Sequence, residues 1–474
     1  MNFLNTQTVL SRSALAFGTS GARGLVEDFN QEVCAAFTLA FISTMKDSFS
    51  FKRVAIGIDN RPSSPLIAKY CATALDSLGY QVIFCGVLPT PALANYSMNE
   101  NIPAIMVTGS HIPFDRNGLK FYRPDGEITK EDEAGILSAS EQFKLSPLVS
   151  LDETPVATDL YIKRYVSLFK NTVLNGKKIG IYEHSSSGRD CYEKIFRCLG
   201  AEVISLGRSD EFVPIDTEAV ADEDKEKAKN WSKQFKLDAI FSTDGDGDRP
   251  LIADEEGCWL RGDVLGLLTS IALDIDALAV PISCNTAIEK SAQFNSVVRT
   301  KIGSPYVIAE FAELEKKYKS VAGFEANGGY LLGTDCKVNG QTLAALPTRD
   351  AVLPAIMLFA NNNLQVSDLV NNLPSRYTAS DRVKDFETAT SKKIIEKYKS
   401  EPTELLRRLG FVNPEIIDVN TIDGLRLTLK NNEVIHLRPS GNAPEFRCYA
   451  ESSSEFKAKE IVSKVLSNLE LKFK

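Results

Sequence analysis

The run Thr243-Asp244-Gly245-Asp246-Gly247-Asp248-Arg249 sets three carboxylates at alternate positions with glycine between them. Glycine lets the backbone fold tightly, so Asp244, Asp246 and Asp248 crowd one small volume. Without a cation that arrangement repels itself, and its hard oxygen donors favour Mg²⁺ or Ca²⁺ over zinc or copper. An EF-hand competes, because Glu255 falls at loop position 12 counted from Asp244. Arg249, however, occupies position 6, where that loop needs glycine, and the apolar flanks at 239–241 and 251–252 read as strands. The bland alternative is an acidic surface turn. The density of carboxylates argues for a divalent-metal loop.

Four further segments mix small residues with polar ones. Val107-Thr108-Gly109-Ser110-His111-Ile112-Pro113 places Ser110 where an apolar strand at 104–107 opens into a loop. Ser110 and His111 are chain neighbours and make no triad, nor is this a GxSxG elbow; alone, the serine reads as a turn residue. Asn117-Gly118-Leu119-Lys120 follows, with Lys120 a candidate base or phosphate contact, or simply a solvated charge. Arg438-Pro439-Ser440-Gly441-Asn442-Ala443-Pro444, with Arg447 beyond, offers backbone N–H, hydroxyl, amide and guanidinium donors. That is the make-up of an oxyanion cradle, with a hairpin turn carrying surface arginines as the alternative. Phe17-Gly18-Thr19-Ser20-Gly21-Ala22-Arg23-Gly24 is a small-residue loop with one arginine and no Walker ending. Gly323-Phe324-Glu325-Ala326-Asn327-Gly328-Gly329 sets a carboxylate and an amide in a glycine loop, a pair that suits sugar hydroxyls.

The elements that must hold these loops repeat along the chain. A β-branched run at 54–59, a helical spacing over 62–79 and a strand at 80–85 ending in Gly86 form one unit. The cadence returns at 178–183, 188–200 and 201–206 before Gly207, and at 278–282, 285–296 and 297–302 before Gly303. Each middle segment predicts a helix of three to four turns, and such alternation argues for mainly parallel sheets with right-handed crossovers. From Leu369 the pattern changes. Helices are expected at 392–399 and 454–469, around strands at 425–429, 434–437 and 446–451, which suggests a smaller α+β domain.

The chain has 474 residues, long enough for about three domains on length alone. Its 54 Lys and Arg against 62 Asp and Glu leave a net charge of −8, which argues against a nucleic-acid or membrane-surface binder. Nine cysteines without CxxC spacing suit reduced thiols in a cytosol. Residues 1–16 lack the pattern of a signal peptide, and the apolar stretch 265–282 is broken by Asp274 and Asp276. The expectation is a soluble cytoplasmic protein.

Taken together and in this order, the five loops resemble the α-D-phosphohexomutase superfamily, from about Phe17 to Glu451. The supporting segments Gly57-Ile58-Asp59-Asn60-Arg61-Pro62-Ser63-Ser64, Leu88-Pro89-Thr90-Pro91 and Thr421-Ile422-Asp423-Gly424 fit as well. The resemblance implies a four-domain, heart-shaped α/β enzyme, with three repeated α/β domains and a smaller C-terminal α+β domain. The domains are expected at 1–150 with the serine loop, 151–257 with the metal loop, 258–368 with the sugar loop and 369–474 with the phosphate loop. It implies that Ser110 is phosphorylated in the working enzyme and that Ser110, Asp244, Asp246 and Asp248 surround one Mg²⁺. Arg23, His111, Lys120 and Arg249 are the expected catalytic company. Glu325 and Asn327 would hold the sugar, and Arg438, Ser440, Gly441, Asn442 and Arg447 its distal phosphate.

Several positions depart from the family pattern. Ile112 stands where Asn is usual, Asn327 where Ser is, Gly329 where His is often found, Ser304 in place of a common His, and Asn442 in place of Thr. The implied reaction is interconversion of hexose 1- and 6-phosphates through a phosphoserine and a 1,6-bisphosphate, with Lys120 or His111 assisting the proton. A glucose 1,6-bisphosphate-type activator could be required. The bisphosphate must turn end for end, which calls for movement of the last domain about a hinge near 359–369. Mannose phosphates lead as substrate, ahead of glucose and glucosamine phosphates. Outside that class stand a catalytically silent sugar-phosphate-binding protein and a metal-dependent sugar phosphatase. The expected partners are small hexose phosphates, with no nucleic acid and no membrane, in a monomer or homodimer.

Overall fold

The computed structural model describes residues 3–18, 21–360, 364–440 and 444–473. Three successive sheets follow one plan. In the first, Arg53–Ile58 lies parallel to Gln81–Val87 on one side and Ala104–Val107 on the other, after which Arg116–Arg123 returns antiparallel. In the second, Lys178–Tyr182 lies between Glu202–Leu206 and Ala239–Thr243, and Pro250–Ala253 returns. In the third, Ala277–Pro281 lies between Ser296–Thr300 and Val321–Phe324, and Tyr330–Leu332 returns. The expected repeat is present and is one strand pair longer than the sequence pattern indicated. Each sheet is therefore mixed: parallel neighbours need a crossover, whereas the antiparallel return needs only a short loop.

The helix Ser64–Ser77 shows how such a crossover is encoded. Proline stands in its first turn, and Ile67, Ala68, Cys71, Ala72 and Leu75 make its buried face. The third unit breaks the expectation of three to four helical turns, because its helix covers only Ala287–Lys290. Ala287 and Ile288 are buried, but Ala292 and Gln293 are exposed, so no apolar face exists for further turns. Ala292 takes a left-handed φ of 53°, and Asn295 N donates to Asp276 O at 2.8 Å.

The final sheet is antiparallel, with Tyr377–Val383 at one edge, then Phe446–Ser452, Val434–Pro439 and Leu425–Leu429, and Ile416–Asn420 at the other edge. Helices Thr388–Tyr398, Pro402–Arg408 and Glu455–Phe473 pack on it through Ile394, Leu405, Leu406, Val465 and Leu469. The two edge strands carry mostly exposed or half-buried residues, so they lack the apolar signature that marks the inner three.

One apolar core runs through all three repeated sheets and includes Leu93, Tyr161, Phe196, Phe241, Phe324 and Phe359. The last sheet has a separate core. Val366, Leu369 and Leu373 pack against the shared core, and the chain passes to the last sheet at 374–376. Among the described residues no helix is long and apolar enough to cross a membrane.

Candidate active site

The repeat explains where the chemistry sits. In each repeated sheet the loop between the third parallel strand and its antiparallel return carries one candidate motif. The serine loop joins Ala104–Val107 to Arg116–Arg123, the carboxylate loop follows Thr243, and the sugar loop spans Phe324 to Tyr330. These loops open at the carboxyl ends of parallel strands, where α/β sheets place ligands. The expected phosphate segment lies in sequence between the paired antiparallel strands Val434–Pro439 and Phe446–Ser452.

Ser110 is 1% exposed and holds a left-handed φ of 52°. For a non-glycine residue that conformation costs about 1 kcal/mol or more and persists only where its surroundings impose it. Here Arg61 imposes it. Its buried guanidinium donates to Ser110 O (2.9 Å), Ile112 O (2.5 Å), Pro113 O (2.7 Å) and Arg116 O (2.9 Å), while its Nε is paired with Asp59 at 3.2 Å. Ser110 N donates to Thr108 Oγ1 at 2.8 Å. Ile112 enters this arrangement through its carbonyl, which any residue supplies. Sequence reasoning quoted the Asp59–Arg61 segment without giving it this task, because a cation that grips carbonyls leaves no pattern in the chain.

Ser110 Oγ donates to Asp244 Oδ2 at 2.7 Å. Asp244, Asp246 and Asp248 are fully buried, and one oxygen from each lies within 4.8 Å of the others. Lys120 Nζ reaches Asp246 Oδ2 at 2.5 Å and Asp248 Oδ2 at 2.8 Å, and Thr90 Oγ1 donates to Asp246 Oδ2 at 2.7 Å. Burial, then the charges of Asp246 and Asp248, push the Asp244 carboxyl well above its ordinary value. Burial would raise Asp246 too, but the Lys120 ammonium overrides it and holds that carboxyl low. Asp246 Oδ1 and Asp248 Oδ1 are buried with no hydrogen-bond partner. Buried carboxylate oxygens rarely stay unpaired, so the donor set fits a hard divalent cation.

His111 Nδ1 lies 3.3 Å from Ser110 Oγ and 3.1 Å from Arg249 Nη1. The Arg249 charge, with burial next, pushes this imidazole down to about 2, so it stays neutral. Arg249 is also 3.6 Å from Asp248 and 3.9 Å from Asp244. Arg23 lies opposite Gly118 on the strand that carries Lys120, and burial, then Arg249, lower its guanidinium to about 10. The structure thus brings Ser110, His111, Lys120, Arg249, Arg23 and the three aspartates to one place.

Glu325 and Asn327 are buried in the sugar loop. Asn327 Oδ1 accepts from Gly329 N at 3.0 Å, and Asn327 O accepts from Thr217 Oγ1 at 2.7 Å, so half of this amide is engaged within its own loop. Arg349, which sequence reasoning missed, reaches Asp248 Oδ2 at 3.0 Å and Glu325 Oε2 at 3.2 Å. Glu218, also missed, is a half-buried carboxyl raised by burial, against the charges of Arg261, Arg249 and Arg447. In the phosphate loop, Arg438 and Arg447 face each other across paired strands. Arg438 Nε donates to Asp423 Oδ2 at 2.8 Å, Arg447 Nη2 to Glu445 Oε2 at 3.1 Å, and Ser440 N to Glu445 O at 2.9 Å. Gly441 and Asn442 lie outside the described residues, as do Thr19 and Ser20.

Known proteins resemble this chain over nearly its whole length. Residues 14–145 match the model of phosphoglucomutase/phosphomannomutase, alpha/beta/alpha domain I; 264–377 match that of domain III, and 378–467 that of the C-terminal domain. The chain is 56% identical over 472 residues to a phosphomannomutase of Salmonella muenchen, covering 99% of each. It is 40% identical over 470 residues to one of Sinorhizobium fredii, covering 96% of this chain and 98% of the relative. Among solved structures, a phosphoglucomutase/phosphomannomutase family protein of Burkholderia thailandensis superposes with a TM-score of 0.73 at 19% identity, covering 96% and 97%. The N-acetylphosphoglucosamine mutase of Aspergillus fumigatus, solved with GlcNAc-6P and magnesium, gives 0.60 at 13% identity over 99% of both chains.

Proposed function

The chain belongs to the α-D-phosphohexomutase superfamily and is a phosphohexomutase, and from that premise we propose that it interconverts mannose 6-phosphate and mannose 1-phosphate. The whole-length identity to the Salmonella relative supports the sugar. The observation that carries the chemistry is the Ser110 hydroxyl, fixed in a left-handed turn 2.7 Å from Asp244 within a fully buried carboxylate cluster.

In this reading Ser110 Oγ carries a phosphoryl group. A hydroxyl of the bound sugar monophosphate attacks it; the new P–O bond forms at the sugar, the P–Oγ bond breaks, and the hydroxyl proton passes to uncharged His111, or to Lys120 once that group has given up a proton of its own. Return of the other phosphate to Ser110 completes the exchange. Mg²⁺, held by Asp244, Asp246 and Asp248, would offset the phosphoserine charge and polarise its oxygens. The chain's own residues do the positioning: Arg61 fixes the serine backbone, and Arg249 and Arg23 supply charge where the phosphoryl group sits. Glu325 and Asn327 face the sugar ring. Arg438, Ser440 and Arg447, with Gly441 and Asn442, grip the phosphate that is not reacting. Because that grip is indifferent to which end of the sugar it holds, both orientations can be served. A glucose 1,6-bisphosphate-type activator would supply the first phosphoryl group.

The test is ³¹P NMR with Mg²⁺ and a trace of glucose 1,6-bisphosphate, offering mannose, glucose and glucosamine 1-phosphates separately. Mannose 1-phosphate should convert fastest to its 6-phosphate. Faster conversion of another hexose overturns the assignment of the sugar, and phosphate release outpacing isomerisation overturns the mutase reading.

A further inference from the structure

Arg349 belongs to none of the five loops that the sequence offered. It lies on the strand Leu346–Asp350, beside the returning strand of the sugar loop, with its side chain only 3% exposed. Nε and Nη2 each meet Asp248 Oδ2 at 3.0 Å. Nη1 meets Glu325 Oε2 at 3.2 Å and Ser304 Oγ at 3.4 Å. One planar cation therefore touches the carboxylate loop, the acid of the sugar loop and a serine standing at a family-variant position. Glu127, from the first sheet, holds the other side: it accepts from Ser304 Oγ at 2.9 Å and from Thr348 Oγ1 at 2.7 Å.

Gly329 gives the second, independent observation. A Cβ built there would stand 2.5 Å from both Cγ and Cδ of Arg349 and 3.0 Å from its Cβ. Contacts that short require movement, and these are the inner atoms of a side chain whose far end is tied to Asp248, Glu325 and Ser304. Arg349 thus fills the space into which a side chain at 329 would project, and the two identities are mutually dependent.

We propose that Arg349 is a positioning residue that locks the Glu325 carboxylate to the carboxylate loop and, through the space it takes over Gly329, sets which hexose phosphates the sugar loop accepts. The inference rests on the reading of the chain as a hexose phosphate mutase. A planar guanidinium fork fixes the orientation of the carboxylates it bridges, whereas a lysine ammonium meets them as a point charge with no preferred plane. A buried carboxylate without such a partner loses both its orientation and the stabilisation of its charge.

Gly329→Ala tests this without deleting any polar group, and Arg349→Lys tests it while keeping the charge. Both should fall about 100-fold in kcat for mannose phosphate, as for a reacting group displaced by an ångström. The preference for mannose 1-phosphate over glucose 1-phosphate should fall about tenfold, read as kcat/KM and as calorimetric dissociation constants. The double variant should be no worse than Arg349→Lys alone, because both changes disturb one contact. A purely structural role would lower the melting temperature and leave the preference unchanged. Should Arg349→Lys fail to fold, Gly329→Ala decides alone. Variants that keep the wild-type binding preference, or effects that multiply independently, overturn the proposal. A wild type that binds both sugars but converts neither overturns the mutase reading only; one that binds neither overturns both.

Discussion

The carboxylate loop and the strand ends that flank the phosphate loop both carry charged side chains, yet they are built in opposite ways. The side chains of Asp244, Asp246 and Asp248 are at most 1% exposed, and their partners come from all three repeated sheets: Thr90 and Lys120 from the first, Arg249 from the second, Arg349 from the third. Those sheets share one apolar core. In the phosphate loop Arg438 is 18% exposed and Arg447 37%, and their partners Asp423 and Glu445 belong to the same small sheet. That sheet has its own core and meets the rest through polar contacts: Asn285 Nδ2 to Arg376 O at 2.9 Å, Ile302 N to Asp423 Oδ2 at 3.0 Å, and Thr286 N to Glu451 Oε2 at 3.0 Å. Phosphoryl transfer needs a fixed reacting centre, whereas an intermediate that must turn over needs a grip that can let go. The difference in construction matches that division of labour.

The sharpest way to break the comparison is to remove the reacting atom from the rigid half. Ser110→Ala should abolish turnover, a loss of at least about 10⁴-fold, while calorimetry still records metal binding. Substantial residual isomerisation would show that the rigid half does not carry the phosphoryl group. Next in size is the grip. Arg438→Ala should raise KM about 10- to 100-fold, the equivalent of one charged hydrogen bond, with a smaller fall in kcat. A kcat loss as large as that of Ser110→Ala would mean that both loops act on the reacting phosphate.

A last expected effect, on stability and not on turnover, is one of pH. Burial lowers both His184, under the carboxylate loop, and His436, in the last sheet, to about 4. In the unfolded chain each titrates near its ordinary value of about 6.5. Between about pH 6.5 and 4 the unfolded state therefore binds more protons. Stability is complete above that window and falls as pH drops through it, by at most about 1.4 kcal/mol per pH unit for each histidine. Melting temperatures across pH 4–7 should show this slope, and His436→Gln should flatten the part belonging to the last sheet. An unchanged slope in that variant would assign the acid response to the repeated sheets alone.

Much of this was legible in the chain. The alternation of β-branched runs and helical spacing gave the repeated units, because burial of a parallel sheet demands apolar strands whatever the tertiary partners. The Asp-Gly-Asp-Gly-Asp spacing pointed to a cation, since three carboxylates so close repel one another unless positive charge stands beside them. The short helix Ala287–Lys290 and the polar edge strands Tyr377–Val383 and Ile416–Asn420 were not legible, because local pattern reports burial only where burial exists. Sequence by itself determined the residue types, the order of the loops and the class of chemistry they serve. Tertiary structure alone decided that three equivalent hairpin loops meet, that Arg61 forces the serine into a left-handed turn, and that Arg349 joins Asp248 to Glu325 over a glycine. Contacts between residues a hundred positions apart leave no period or spacing in the chain; they exist only once the sheets that carry them have packed.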